Sequence, residues 1–250
     1  MAEEEPVFET TTGPPRIITA ASLFDGHDAA INVMRRLIQS AGAEVIHLGH
    51  DQSAKAVVDC AIQEDAHGVA LTSYQGGHVE YFTYIRQLLD EAGCKHIRIF
   101  GGGGGTITPP EIKTLHESGI SKIYSPDDGR TMGLMGMIHH LMGIASEVDL
   151  IHSDRIASLS GPVTPEDTAK VGLLLTMSES ADDKTFKSTL EKCRSSEKEV
   201  PVIGFTGTGG AGKSSLLDEL MLRILRDNPG KKVCLLCVDP TRKRTGGALL

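Results

Sequence analysis

Two short stretches carry residue types whose spacing could do chemistry. In Ser22-Leu-Phe-Asp-Gly-His-Asp-Ala-Ala-Ile31 an imidazole stands between two carboxylates, just after an apolar run and just before a helical pattern. His27 could give one ring nitrogen to a metal while the other donates to Asp25, which fixes the tautomer and raises ligand basicity. Asp28 suits a cap, or the positive end, of the following helix. In the second stretch, Gly207-Thr-Gly-Gly-Ala-Gly-Lys-Ser214 fits G-x-x-x-x-G-K-[ST]. Gly207, Gly209, Gly210 and Gly212, with Ala211 among them, let backbone N–H groups converge on phosphate oxygens. Lys213 adds a point charge, Ser214 can bind Mg²⁺, and Ser215 shares the same first helical turn. Asp239, at the end of the next apolar run, is a second magnesium candidate.

The remaining chemistry-bearing residues read more plainly. His78 starts an expected helix beside the Thr72-Ser73-Tyr74 loop and is a candidate ligand contact. The other histidines follow no ligand spacing, and no second close pair supports a four-ligand zinc site. Cys234 and Cys237 spell C-x-x-C within an apolar strand pattern, where the two thiols face opposite sides, so they read as small buried hydrophobes.

Composition excludes several partner classes. With no Trp and 4% aromatic residues the chain lacks stacking platforms for single-stranded nucleic acid. A net charge of -8 opposes non-specific polyanion binding. No apolar run approaches the ~20 residues of a membrane span. The acidic start, Met-Ala-Glu-Glu-Glu-Pro, is unlike a targeting signal, and five cysteines without framework spacing fit a reducing compartment. A cytoplasmic protein with neither nucleic-acid nor membrane partners is expected.

The elements that position these residues follow from periodicity. Apolar runs at 16–23, 44–49, 68–73, 97–102 and 122–125 suit buried parallel strands. Helical patterns at 28–41, 53–64, 78–92, 109–118 and 130–144 alternate with them. Ile31, Met34, Leu37, Ile38 and Ala41 form the sheet-facing stripe of the first. Five βα units give a flavodoxin-like, doubly wound α/β domain over 16–145, whose ligands lie at the carboxyl ends of its strands. Residues 146–198 read as a linker with helical pieces, one from 164 to about 177 and one near 186–193. From 199 a strand, the glycine loop, a helix at 213–227 and a strand at 232–238 open a P-loop NTPase α/β domain. One βαβ unit cannot cover both sheet faces, so this domain is expected to be truncated at 250.

Asp25-x-His27, Thr72-Ser73-Tyr74 with Gly76-Gly77-His78, and glycines 101–105 with Pro109-Pro110 resemble the cobalamin-binding domain of adenosylcobalamin-dependent acyl-CoA mutases. That family's Asp-x-His-x-x-Gly, Ser-x-Leu and Gly-Gly elements recur at matching spacing over 16–145, with Ala30 at the glycine and Tyr74 at the leucine. The resemblance implies that the nucleotide tail of cobalamin leaves cobalt and threads between sheet and helices. His27 would then be the axial cobalt ligand and Asp25 its partner, with Thr72 or Ser73 and glycines 101–105, Gly104 and Gly105 among them, along the tail slot. Asp239-Pro-Thr followed by Thr245-Gly-Gly-Ala-Leu after the P-loop resembles the GTPase chaperones that load cobalamin into such mutases, which implies GTP and Mg²⁺.

Together the two resemblances imply the N-terminal part of a fused acyl-CoA mutase that interconverts isobutyryl-CoA and n-butyryl-CoA by radical rearrangement. Its acyl-CoA would sit in a downstream domain, its assembly would be a homodimer, and this part alone would be inactive. The alternatives are a cobalamin delivery module with a GTPase and no mutase chemistry, or a plain P-loop NTPase with a regulatory domain.

Overall fold

The computed structural model describes residues 6–164, 166–194 and 200–237, apart from the Asp28 side chain, on which the helix-cap expectation rests. They gather into two compact units, Met1–Ser195 and Ser196–Leu250. In the first, β1 (Arg16–Ser22), β2 (Glu44–Gln52), β3 (Gly68–Thr72), β4 (Arg98–Gly102) and β5 (Lys122–Tyr124) form one parallel sheet ordered β2-β1-β3-β4-β5. β1 and β3 are central and buried nearly throughout, which is why they read as continuous apolar runs rather than alternating ones. β2 lies at an edge and is half-buried.

Helices cover both faces. α2 (Ala54–Gln63), α3 (His78–Glu91) and α4 (Pro109–Glu117) pack through Val57, Phe82, Ile85 and Leu115. α1 (Asp28–Ser40) and α5 (Pro126–Ser146) pack through Ile38, Ile138 and Leu141 against Ile17 and Phe100. Side chains set the helix starts: Ser53 accepts from the Ala56 amide at 3.1 Å, and Ser125 forms a capping box with Asp128. Gly133, at φ 67° and ψ 174°, interrupts α5.

Ladder register puts the loops at one rim. Ala21 pairs with Thr72, Thr72 with Gly102, and Gly102 with Tyr124, a single row across four strands. The loops leaving β1, β3, β4 and β5 therefore emerge together, and strand order reverses between β1 and β3, where doubly wound sheets bind ligands.

The stretch read as a linker is mostly helix packed within the first unit. α6 (Ser153–Ser158), α7 (Thr168–Ser180) and α8 (Asp183–Cys193) share a small core of Leu159, Leu173, Met177 and Cys193. α7 runs so close to the end of α2 that a methyl group on Gly172 would lie 2.8 Å from the Ile62 carbonyl oxygen. Arg155 donates to the buried Asp65 carboxylate at 2.6 Å. The segment reads as a linker because its composition is polar and its apolar core is small, drawn from residues scattered over short helices.

In the second unit α9 (Lys213–Asp227) forms as expected. The strands expected at 200–205 and 232–238 need correction: no ladder forms among their described residues, and Val202 and Leu236 are exposed. Among the described residues from 200 to 237 the one helix is α9, and Val202 and Leu236 have no cover, which a parallel strand needs. Asp239 lies outside the described residues.

Candidate functional site

At the β1–α1 loop, Phe24 takes a left-handed conformation, φ 64°, with its amide donating to Asp51 Oδ1 at 2.7 Å. The turn carries the Asp25 side chain inward to complete burial and leaves His27 63% exposed. His27 Nδ1–H donates to Asp25 Oδ1 at 2.7 Å, and the His27 amide donates to the same oxygen at 2.9 Å. The Tyr74 amide donates to Oδ2 at 2.6 Å. Burial works against ionisation of Asp25, but the Tyr74 and His27 amides and the His27 ring outweigh it and hold the carboxyl below its ordinary value. With Nδ1 committed as donor, Nε2 carries the lone pair and is free to ligate.

Beside this loop, between the sheet and α1 and α5, lies a cavity of about 610 Å³. Ala30, Met34, Phe100 and Met137 make much of its wall apolar, and Thr72, Tyr74, Gly104 and Tyr124 also line it. Thr72 Oγ1 is buried without a hydrogen-bond partner among the described residues. An orphaned hydroxyl in an apolar wall calls for a ligand with a polar edge. The protein's own packing requires these glycines. A Cβ on Gly101 would lie 2.5 Å from the Phe82 ring, one on Gly103 2.1 Å from the Ser73 carbonyl oxygen, and one on Gly104 2.6 Å from the Tyr74 ring. The cavity's size, its apolar wall and the orphaned Thr72 hydroxyl fit a mostly apolar group of nucleotide size with a polar edge.

The candidate residues divide accordingly. Asp25, His27, Thr72 and Gly104 meet at this rim. Ser73 turns instead to Ser22, whose hydroxyl donates to it at 3.0 Å, and Gly105 is not among the lining residues. His78 is buried, its Nδ1 3.2 Å from the Gln75 carbonyl oxygen and its Nε2 3.3 Å from Glu111, and it does not line the cavity. Sequence reasoning missed Asp51, the Tyr74 amide and the α5 wall. The first two depend on backbone geometry, and Met137 and Tyr124 carry no motif. Among the described residues no group of three His, Cys, Asp or Glu could hold a metal. A metal at His27 must therefore bring its own further ligands.

In the second unit, Gly210 and Gly212 have φ 77° and 81°, and Gly212 caps α9. Lys213 Nζ folds back to donate to the Gly207 and Thr208 carbonyl oxygens, both at 2.9 Å. The amides of Lys213, Ser214 and Ser215 open the helix, where no intrahelical acceptor exists and the helix dipole favours anions. Loop, lysine and helix end thus bring together the kinds of group that bind anions, with Lys213 engaged by the loop carbonyls.

Comparison with known proteins finds a family match over each of two parts of the chain. The B12 binding domain family matches residues 15–123, and the methylmalonyl Co-A mutase-associated GTPase MeaB family matches residues 171–250. The second match begins within α7, inside the first compact unit. The fused isobutyryl-CoA mutase of Geobacillus kaustophilus is 50% identical over 242 residues, covering 94% of this chain and 22% of that protein. That of Nocardia farcinica is 49% identical over 238 residues, covering 95% and 22%. The 2-hydroxyisobutanoyl-CoA mutase small subunit of Aquincola tertiaricarbonis is 34% identical over 115 residues, covering 46% of this chain and 82% of that subunit. The chain thus spans about a fifth of the length of the fused relatives and most of the small subunit.

Proposed function

The chain belongs to the family of B12-dependent acyl-CoA mutases, and on that premise we propose that its first unit binds adenosylcobalamin and its second binds GTP with Mg²⁺. The Asp25–His27 pair carries the reading: a buried carboxylate holds Nδ1 and leaves Nε2 free beside a cavity of nucleotide size. His27 is the axial ligand of cobalt in this proposal. Thr72 and Gly104 line the tail slot, with Ser73 and Gly105 supporting the loops that form it. When bound, adenosylcobalamin supplies the radical chemistry of carbon-skeleton rearrangement. The chain's own residues orient the imidazole, fix its tautomer and exclude water from the slot.

At the glycine loop, 207–215 hold the phosphates, Lys213 exchanges loop carbonyls for phosphate oxygens, and Ser214 and Asp239 serve Mg²⁺. For a protein of the fused relatives' length the proposed reaction is interconversion of isobutyryl-CoA and n-butyryl-CoA, in a cytoplasmic homodimer. Among the described residues no helix is long and apolar enough to cross a membrane.

Equilibrium dialysis against adenosylcobalamin, and separately against GTP with Mg²⁺, tests the reading. Saturable uptake of both is expected. Failure to take up cobalamin would contradict it. Uptake without isobutyryl-CoA turnover by a full-length protein would leave a cofactor-delivery role in its place.

A further inference from the structure

The histidine loop, the glycine run and the cavity meet at Tyr74. Its amide donates to Asp25 Oδ2 at 2.6 Å, and its ring faces the His27 ring, with centroids 5.5 Å apart and planes tilted by 47°. The same ring rests on the Gly104 backbone, where an added Cβ would come within 2.6 Å of it, and it forms part of the cavity wall. Tyr74 is half-buried and belongs to neither sheet-face core cluster, so filling the core does not account for it.

The two contributions of this residue separate cleanly. The amide bond to Asp25 belongs to the backbone and survives substitution; the ring contacts do not. The imidazole itself is held by one ring hydrogen bond, from Nδ1, and is otherwise largely exposed. A single hydrogen bond leaves the ring plane free to rock about the donor–acceptor line, whereas an aromatic neighbour in a tilted contact restricts it. Because that neighbour is also a cavity wall, whatever fills the cavity bears on the surface that steadies the imidazole.

We propose that Tyr74 is a positioning residue for His27, coupling occupation of the cavity to the pose of Nε2. The inference rests on the cobalamin reading above and concerns the side chain that stands where the mutase pattern has leucine.

The test compares Tyr74→Phe, Tyr74→Leu and Tyr74→Ala with the parent chain. Each is titrated with cobalamin and with cobinamide, the corrin without a nucleotide tail. Each cob(II)alamin complex is then examined by EPR for coupling to a histidine nitrogen. Tyr74→Phe should retain the parent's preference for cobalamin and its full nitrogen coupling. Tyr74→Leu and Tyr74→Ala should lose about tenfold of that preference, the worth of one aromatic contact, and show a mixed population with and without coupling. A purely structural role would weaken both corrinoids alike. An unchanged preference and full coupling in Tyr74→Ala would overturn the inference while leaving the cobalamin reading intact. Failure of the parent chain to bind either corrinoid would overturn the reading and the inference with it.

Discussion

A methyl group on Gly103 would sit 2.1 Å from the Ser73 carbonyl oxygen and 2.7 Å from Thr106 Oγ1. Backbone cannot yield as a flexible side chain does, so Gly103→Ala is expected to cost about 1–3 kcal/mol in chemical denaturation and to weaken cobalamin uptake. His67 gives a pH dependence. It is buried, its Nδ1 accepts from the Arg16 amide at 2.9 Å, and its Nε2 lies 3.2 Å from the Thr10 hydroxyl. Burial first, then the Arg16 charge, push it down to about 4. Between that value and an unfolded value near 6.5 the unfolded chain binds more protons. Stability is therefore full above pH ~6.5 and falls as pH drops towards 4. His67→Gln should flatten that slope in urea titrations; an unchanged slope would assign it elsewhere. At this scale sequence reading succeeds where chemistry is local. Asp25 and His27 are two residues apart, so their pairing was legible. That Thr72 has an orphaned hydroxyl while Ser73 is tied to Ser22 depends on a register 51 residues distant.

Among the elements, the attachment of α6 and α7 to the sheet base is the most consequential. Asp65 is 3% exposed, at φ 46°, and bonded to Arg155, with His96 Nε2 3.7 Å away. Burial opposes its ionisation, yet the His96 and Arg155 interactions hold its carboxyl below its ordinary value. Removing one partner of a buried pair strands the other, so Arg155→Met is expected to cost about 3–5 kcal/mol. The loss should appear as faster amide exchange through 153–180 while β1 to β4 stay protected. Uniform loss across the first unit would contradict a local role. The βα elements of 16–145 were legible because each buries a stripe or run of its own. α6 was not, being six residues with none buried. The two P-loop strands were read from apolar runs on either side of the glycine loop and helix, but a strand's pairing depends on neighbours that such a pattern does not supply.

For the whole molecule, a B12-binding match and a GTPase match holding the glycine loop follow one another, and 94% of the chain aligns with about a fifth of a fused mutase. Two separate sites imply separable losses. Lys213→Ala removes charge-assisted bonds to phosphate and is expected to weaken GTP binding by about 10- to 100-fold, with adenosylcobalamin uptake unchanged. Calorimetry with each ligand in turn reads both. The central claim, His27 on cobalt, is tested most directly by EPR of the cob(II)alamin complex with ¹⁴N- and ¹⁵N-labelled histidine, beside His27→Ala. The expected result is a nitrogen coupling that changes with the label and disappears in the variant. A coupling indifferent to both would place another group on cobalt and contradict the account.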